Sequence, residues 1–221
     1  MNTQKALEYL KAKAQSTNRR PLNVAGNKAL LLFCQELYNY SFETQLSLDS
    51  PNKPISSIRE ALHHSYTTKE IKKDIRKYVV DTLMKTNQFD IDYYVSEINR
   101  YLNKKELSRK DRYEVTHLCW CLYMICKDNN ILSIGNFKDI LTKALYKIYT
   151  LTPNLDEGTE SIYFLTLINP SFIKKDWINN LSKIQDKEGC LPGEYIEERI
   201  HHTCLALLTY HNYKDKKRHL L

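Results

Sequence analysis

Three stretches of nine residues, VTHLCWCLY (115–123), GTESIYFLT (158–166) and IHHTCLALL (200–208), constrain this chain more than any other feature. Each is apolar around most of a helix circumference and polar mainly in its first turn. A helix of that kind has no side to give to water and must be enclosed by other elements; 221 residues are enough to enclose it. The stretches also recur. Thr116 and Thr159 are 43 residues apart, and His117, Glu160 and His202 fall at matching places with intervals of 43 and 42. A buried helix returning at that interval, with an amphipathic helix between, is the pattern of one helical hairpin per unit in a solenoid or closed ring.

The segments between supply the other half of each hairpin. From Phe137 to Tyr149, Ile140, Leu141, Ala144, Leu145 and Ile148 line one face with lysines opposite, which predicts an outer helix. Asn169 and Pro170 end one helix and start another that carries Trp177, Leu181 and Ile184. Ser108 with Asp111, and Asn154 with Glu157, have the spacing of capping pairs, and Gly189, Pro192 and Gly193 form a turn before the last helix. Toward the N-terminus, Thr3 to Gln15, a long helix from Val24, KEIKKDIRKYVVDTLMK and a helix from Asp90 to about Leu102 complete the set. Five Gly and six Pro are too few for the many turns of a β fold. The expectation is a single all-α domain over 1–221, with one loop boundary at 49–57 (DSPNKPISS) and a frayed tail at 214–221.

Hydrophobic residues at 42% and charged ones at 27% fit a globular chain. No apolar run approaches the roughly 20 residues of a membrane span, and the start MNTQKALEYLKAK lacks the apolar middle of a signal peptide, so a cytoplasmic protein is expected. Six cysteines, five of them in apolar helical runs, read as reduced core thiols. The net charge of +7 lies entirely in residues 1–110, which hold 19 Lys and Arg against 12 Asp and Glu. Those lysines sit on helices with acids interleaved, the composition of a solvated face; no zinc-finger spacing or aromatic RNA motif accompanies them. The expected partners are a small molecule, a peptide or another protein, not nucleic acid.

The string SFIKKDWINNLSKIQDKEGCLPGEYIEERIHHTCLALLTY resembles one unit of an α/α toroid, the ring of helical hairpins in terpenoid cyclases, protein prenyltransferases and lanthionine cyclases. Such a unit has an outer helix ending in Gln, here Gln185, then a Gly-containing turn, here Gly189, then an inner helix, here HHTCLALL. The resemblance implies helical hairpins arranged as a small or incomplete toroid, close to bacterial toroid proteins, some of which accompany peptide natural-product pathways. The cyclases' Asp-x-Asp-Asp motif is missing, Asp90-Ile-Asp92 being too short to replace it, and so is the Cys-His pair of the lanthionine cyclases.

If the buried helices run parallel, their first turns, DRYEVTH, DEGTE and EERIHH, meet at one mouth above an apolar wall, the make-up of a ligand pocket. One reading makes His117, Glu160 and His202 an acid/base or zinc site, two imidazoles and a carboxylate with one position open, completed by Cys190 or His201. The other gives Asp111, Glu114, Asp156 and Glu157 to the positive ends of helix dipoles and the histidines to helix packing. Two functions follow. One is a small-molecule- or peptide-binding toroid, enzyme or accessory protein, working at that mouth; the alternative is a non-catalytic helical scaffold for protein partners.

Overall fold

The computed structural model describes residues 1–14, 27, 30–31, 34–35, 37–40, 42, 91–128, 137–151 and 154–218. Among these it is all-α, with seven α-helices, one 3-10 turn and no strand. The helices are α1 (Thr3–Ala14), α2 (Ile91–Asn103), α3 (Arg109–Asp128), α4 (Phe137–Leu151), α5 (Leu155–Ile168), α6 (Lys175–Lys183) and α7 (Ile196–Arg218); the 3-10 turn is Pro170–Phe172. The expected loop at 49–57 and the helix KEIKKDIRKYVVDTLMK lie outside the described residues. Helix α7 runs on to Arg218, into the segment expected to fray. No described helix is long and apolar enough to cross a membrane. By its contacts the chain divides into a terminal unit, Met1–Thr68 with Lys174–Leu221, and a middle unit, Lys69–Ile173.

In the middle unit α2 packs on α3 and α4, α4 on α5, and α3 on α5. Three polar ties fix the directions. Near the N-termini of α3 and α5, Arg112 Nε donates to Glu157 Oε2 at 2.5 Å. Toward the end of α4, Lys147 Nζ donates to the carbonyls of Tyr101, Leu102 and Lys104, at 3.3, 2.7 and 2.5 Å, where α2 ends. Just past α5, Asn169 Nδ2 donates to Thr142 Oγ1 in the first half of α4 at 3.2 Å. Helices α3 and α5 are therefore parallel with their starts together, α2 and α4 are parallel with their ends together, and α4 runs antiparallel to α5. Two hairpins, α2/α3 and α4/α5, lie side by side.

The caps explain where the second helix of each hairpin begins. Asp111 N donates to Ser108 Oγ at 3.1 Å and Ser108 N to Asp111 Oδ2 at 3.0 Å, a reciprocal capping box that satisfies two otherwise unpaired donors. Asn154 caps α5 by accepting from Asp156 N at 2.9 Å. Its expected partner Glu157 is instead drawn inside, 3% exposed, where it neutralises Arg112. Along α3 the side chains of Val115, Thr116, Leu118, Cys119, Cys121, Leu122, Ile125 and Cys126 are all buried, as an apolar circumference requires.

The terminal unit is built on α7, buried on every side from His202 to Thr209 and packed by α1 and α6. The six cysteines are free and buried throughout the chain. Between α6 and α7 the chain makes a tight turn against the start of α1. Gln185 holds it: Nε2 donates to Gly189 O at 2.8 Å and Asn2 O at 3.0 Å, while Oε1 accepts from Asn2 N at 2.7 Å. Gly189 has φ +98°, and a Cβ there would come within 2.4 Å of the Lys5 carbonyl oxygen, so both torsion and space demand glycine. Gly189→Ala is expected to destabilise the protein by about 2 kcal/mol or more in urea unfolding, combining backbone strain with a displaced α1. A change below roughly 0.5 kcal/mol, the range of an ordinary surface substitution, would contradict the close approach.

Candidate functional site

Packing of α3 on α5 with their starts tied puts the first turns of both helices at one end of the middle unit. His117 lies two turns into α3 with Nδ1 2.8 Å from the Tyr113 carbonyl. A carbonyl only accepts, so in the neutral ring Nδ1 carries the hydrogen and Nε2 keeps its lone pair. The imidazole is stacked on Tyr113, centroids 4.1 Å apart. Beyond Glu114, the half-buried positions of α3 up to Cys126 are His117, Trp120 and Met124; beyond Gly158, those of α5 are Glu160, Phe164 and Leu167. Steps of three and four residues put each trio on one line along its helix. Since the helices start together, the polar members His117 and Glu160 share one end and the apolar members follow in the same direction. Asp156, half-buried, precedes Glu160 on the α5 line by one turn.

The other mouth acids of this unit are committed to structure. Asp111 closes the capping box and receives Lys104 Nζ at 2.8 Å; that bond first, with those from Ser108, holds its carboxyl at about 2, below the ordinary range. Glu114 accepts the Tyr101 hydroxyl and lies 3.6 Å from Lys110. Burial, and then Glu114, push that phenol up to about 12. Glu157 pairs with Arg112, and Arg109 stands 3.9 Å away.

The remaining expected site residues lie in the terminal unit. His202 is 5% exposed, with Nδ1 2.7 Å from the Pro192 carbonyl, so the same tautomer is fixed there. His201 is half-buried and edge-on to it, ring centroids 6.0 Å apart. Cys190 is buried, its Sγ 3.0 Å from Asp186 Oδ2 and 2.7 Å from Arg199 Nη2; burial, and then Asp186, push the thiol up to about 11. Possible ligand atoms of Asp186, Glu188 and Cys190 lie within 4.8 Å of one another, a spacing a metal could use. Arg199 already supplies the cation, at 2.6 Å from Asp186 and 3.5 Å from Glu188. Asp186, Cys190 and Arg199 together tie the turn to α7.

Of His117, Glu160 and His202, then, the first two occupy one compact unit and the third belongs to the other. What sequence reasoning missed is that Trp120 and Phe164 are half-buried on their helices. Trp120 and Phe164 count as core by hydrophobicity, and only their place in line with His117 and Glu160 sets them apart. No family model matches the chain, and neither a curated protein nor a solved structure does.

Asp111 gives a pH signature. Its carboxyl, held below the ordinary value of about 4, contributes stability that is present above that value and is lost as pH falls from about 5 toward 2. Asp111→Asn is therefore expected to be less stable than the parent at pH 7, with the gap closing below pH 5 in parallel melts. A gap that stays constant down to about pH 3, midway between the two values, would contradict the assignment.

Proposed function

We propose that the protein binds a small molecule or peptide along the joined lines of α3 and α5, in a helical array of the α/α-toroid kind. One observation carries this reading: two parallel helices offer half-buried lines that are polar at the same end and apolar beyond. That is the composition of a recognition cleft, a few oriented polar groups above an apolar wall. The repeat supports it. Thr116 Oγ1 donates to Arg112 O and Thr159 Oγ1 to Leu155 O, each at 2.8 Å, and both donors and both acceptors are 43 residues apart. The lines also correspond at that interval, His117 with Glu160 and Met124 with Leu167.

Commitment of Asp111, Glu114 and Glu157 to ion pairs and caps favours recognition over catalysis, because it leaves few carboxylates to move protons. In an enzyme of this design His117 Nε2 would be the base, with Glu160 at the same end.

The test is a panel of capped peptides and small organic acids, amines and neutral heterocycles, read by tryptophan fluorescence and thermal melting. A ligand of this face is expected to lose about tenfold or more in affinity on Trp120→Ala, as buried aromatic anchors do, and also to weaken on Glu160→Ala. Ligands that bind both folded variants as tightly as the parent would overturn the proposal.

A further inference from the structure

We infer that the turn before α7 is a site for zinc or a similar thiophilic divalent cation, held by Asp186, Glu188 and Cys190 with Tyr9 behind them. The site is independent of the α3/α5 face, and all of its residues lie in the terminal unit. Possible ligand atoms of the three lie within 4.8 Å of one another, and Asp186 Oδ2 is 3.0 Å from Cys190 Sγ. Tetrahedral zinc, with bonds of about 2.1 Å to oxygen and about 2.3 Å to sulfur, sets such atoms roughly 3.6 Å apart, so small side-chain rotations complete the set. A thiolate with two carboxylates suits zinc, cobalt or cadmium, whereas calcium and magnesium take oxygen ligands.

Two features point to a cation at this place. The first is electrostatic. One nitrogen, Arg199 Nη2, stands 2.6 Å from Asp186 Oδ2, 2.7 Å from Cys190 Sγ and 3.5 Å from Glu188 Oε2, so positive charge is already favoured where the ligand atoms converge. The second is Tyr9 on α1. It is 5% exposed, and its hydroxyl, buried against Cys190, has no hydrogen-bond partner among the described residues. A neutral thiol is a weak acceptor, but a thiolate would accept the phenol strongly and satisfy it. A bond of that kind to a ligating atom is the outer support that metal ligands ordinarily have.

Binding exchanges one cation for another. The Arg199 side chain is 28% exposed, so its guanidinium reaches water by rotating about its own bonds. The Sγ–H bond of Cys190 breaks as the sulfur–metal bond forms; the proton goes to solvent and no electron is transferred. With two carboxylates and one guanidinium the cluster carries one net negative charge. A divalent ion that expels the thiol proton brings it to neutrality with Arg199 still nearby. The turn is held for this without the ion: Asp186 Oδ1 accepts from Glu188 N at 2.9 Å and Cys190 N at 3.1 Å, leaving Oδ2 to face the cation.

The experiment uses the untagged full chain, chelator-stripped and kept reduced. Zinc chloride is titrated by calorimetry in two buffers of different protonation enthalpy, and cobalt chloride by absorption. One zinc per chain is expected, with close to one proton released and a thiolate-to-cobalt charge-transfer band. Cys190→Ser is expected to abolish the band and the proton release. Tyr9→Phe is expected to weaken zinc about tenfold, the low end for an outer partner of a metal ligand. Glu188→Gln, at a side chain 56% exposed, is expected to weaken zinc at least as much with an unchanged melting temperature. A folded, reduced parent that takes up no zinc overturns the inference. Zinc bound without the cobalt–thiolate band, or bound as tightly by Glu188→Gln and a folded Cys190→Ser, also overturns it, because the ion then sits elsewhere. If Cys190→Ser does not fold, the band and Glu188→Gln decide. Unchanged affinity in Tyr9→Phe overturns the part given to Tyr9.

Discussion

Arg112 and Glu157 form an ion pair that the middle unit cannot do without. Glu157 is 3% exposed and Arg112 14%, so both charges have been withdrawn from water at a cost of several kcal/mol, which is offset only while each has partners. The partners are present. The guanidinium gives Nε to Glu157 and Nη1 to the Leu107 carbonyl at 2.8 Å, just ahead of α3, while Arg109 adds a second positive charge near Glu157. The pair ties the start of α3 to the start of α5. It thereby sets two helices parallel that are separated in sequence by a complete antiparallel helix, and the shared polar end of His117 and Glu160 follows from that register.

The same economy governs four buried threonines. Thr116, Thr159, Thr203 and Thr209 sit within helices buried on nearly all sides, and each hydroxyl donates to the carbonyl four residues earlier, at 2.6 to 2.8 Å. A threonine that bonds to its own helix asks nothing of a neighbour, so these four hydroxyls are satisfied within an apolar enclosure, whereas Ser161 Oγ on α5 is buried without a hydrogen bond. Lys147 adds to the pattern at the same end of the hairpins, where its ammonium takes three carbonyls at the end of α2.

Much of this was legible in the sequence, for physical reasons. Helix α3 was readable because an apolar circumference has only one stable environment, and α4 because Ile140, Leu141, Ala144, Leu145 and Ile148 recur at helical spacing. The Ser108–Asp111 cap was readable because it is local. Glu157 was not: its spacing from Asn154 suits a cap, yet its partner lies 45 residues away, and one-dimensional spacing cannot weigh a local hydrogen bond against a distant guanidinium. The surroundings of Cys190 were hidden for the same reason, since Arg199, which bonds to its sulfur and to Asp186, comes from the next helix. The site divided in the same way. His117 and Glu160 could be paired from their interval, while His202 shares the interval and lies in the other compact unit.

A double-mutant cycle between Arg112 and Glu157, read by urea unfolding, tests whether this pair organises the hairpins. Each single change to alanine is expected to destabilise by about 3–5 kcal/mol, because each leaves the other charge buried and uncompensated. The double variant is expected to be little worse than either single one, giving a coupling of about 2 kcal/mol or more. Additive effects, or single losses below about 1 kcal/mol as for an exposed pair, would mean that α3 and α5 are held in register by something else.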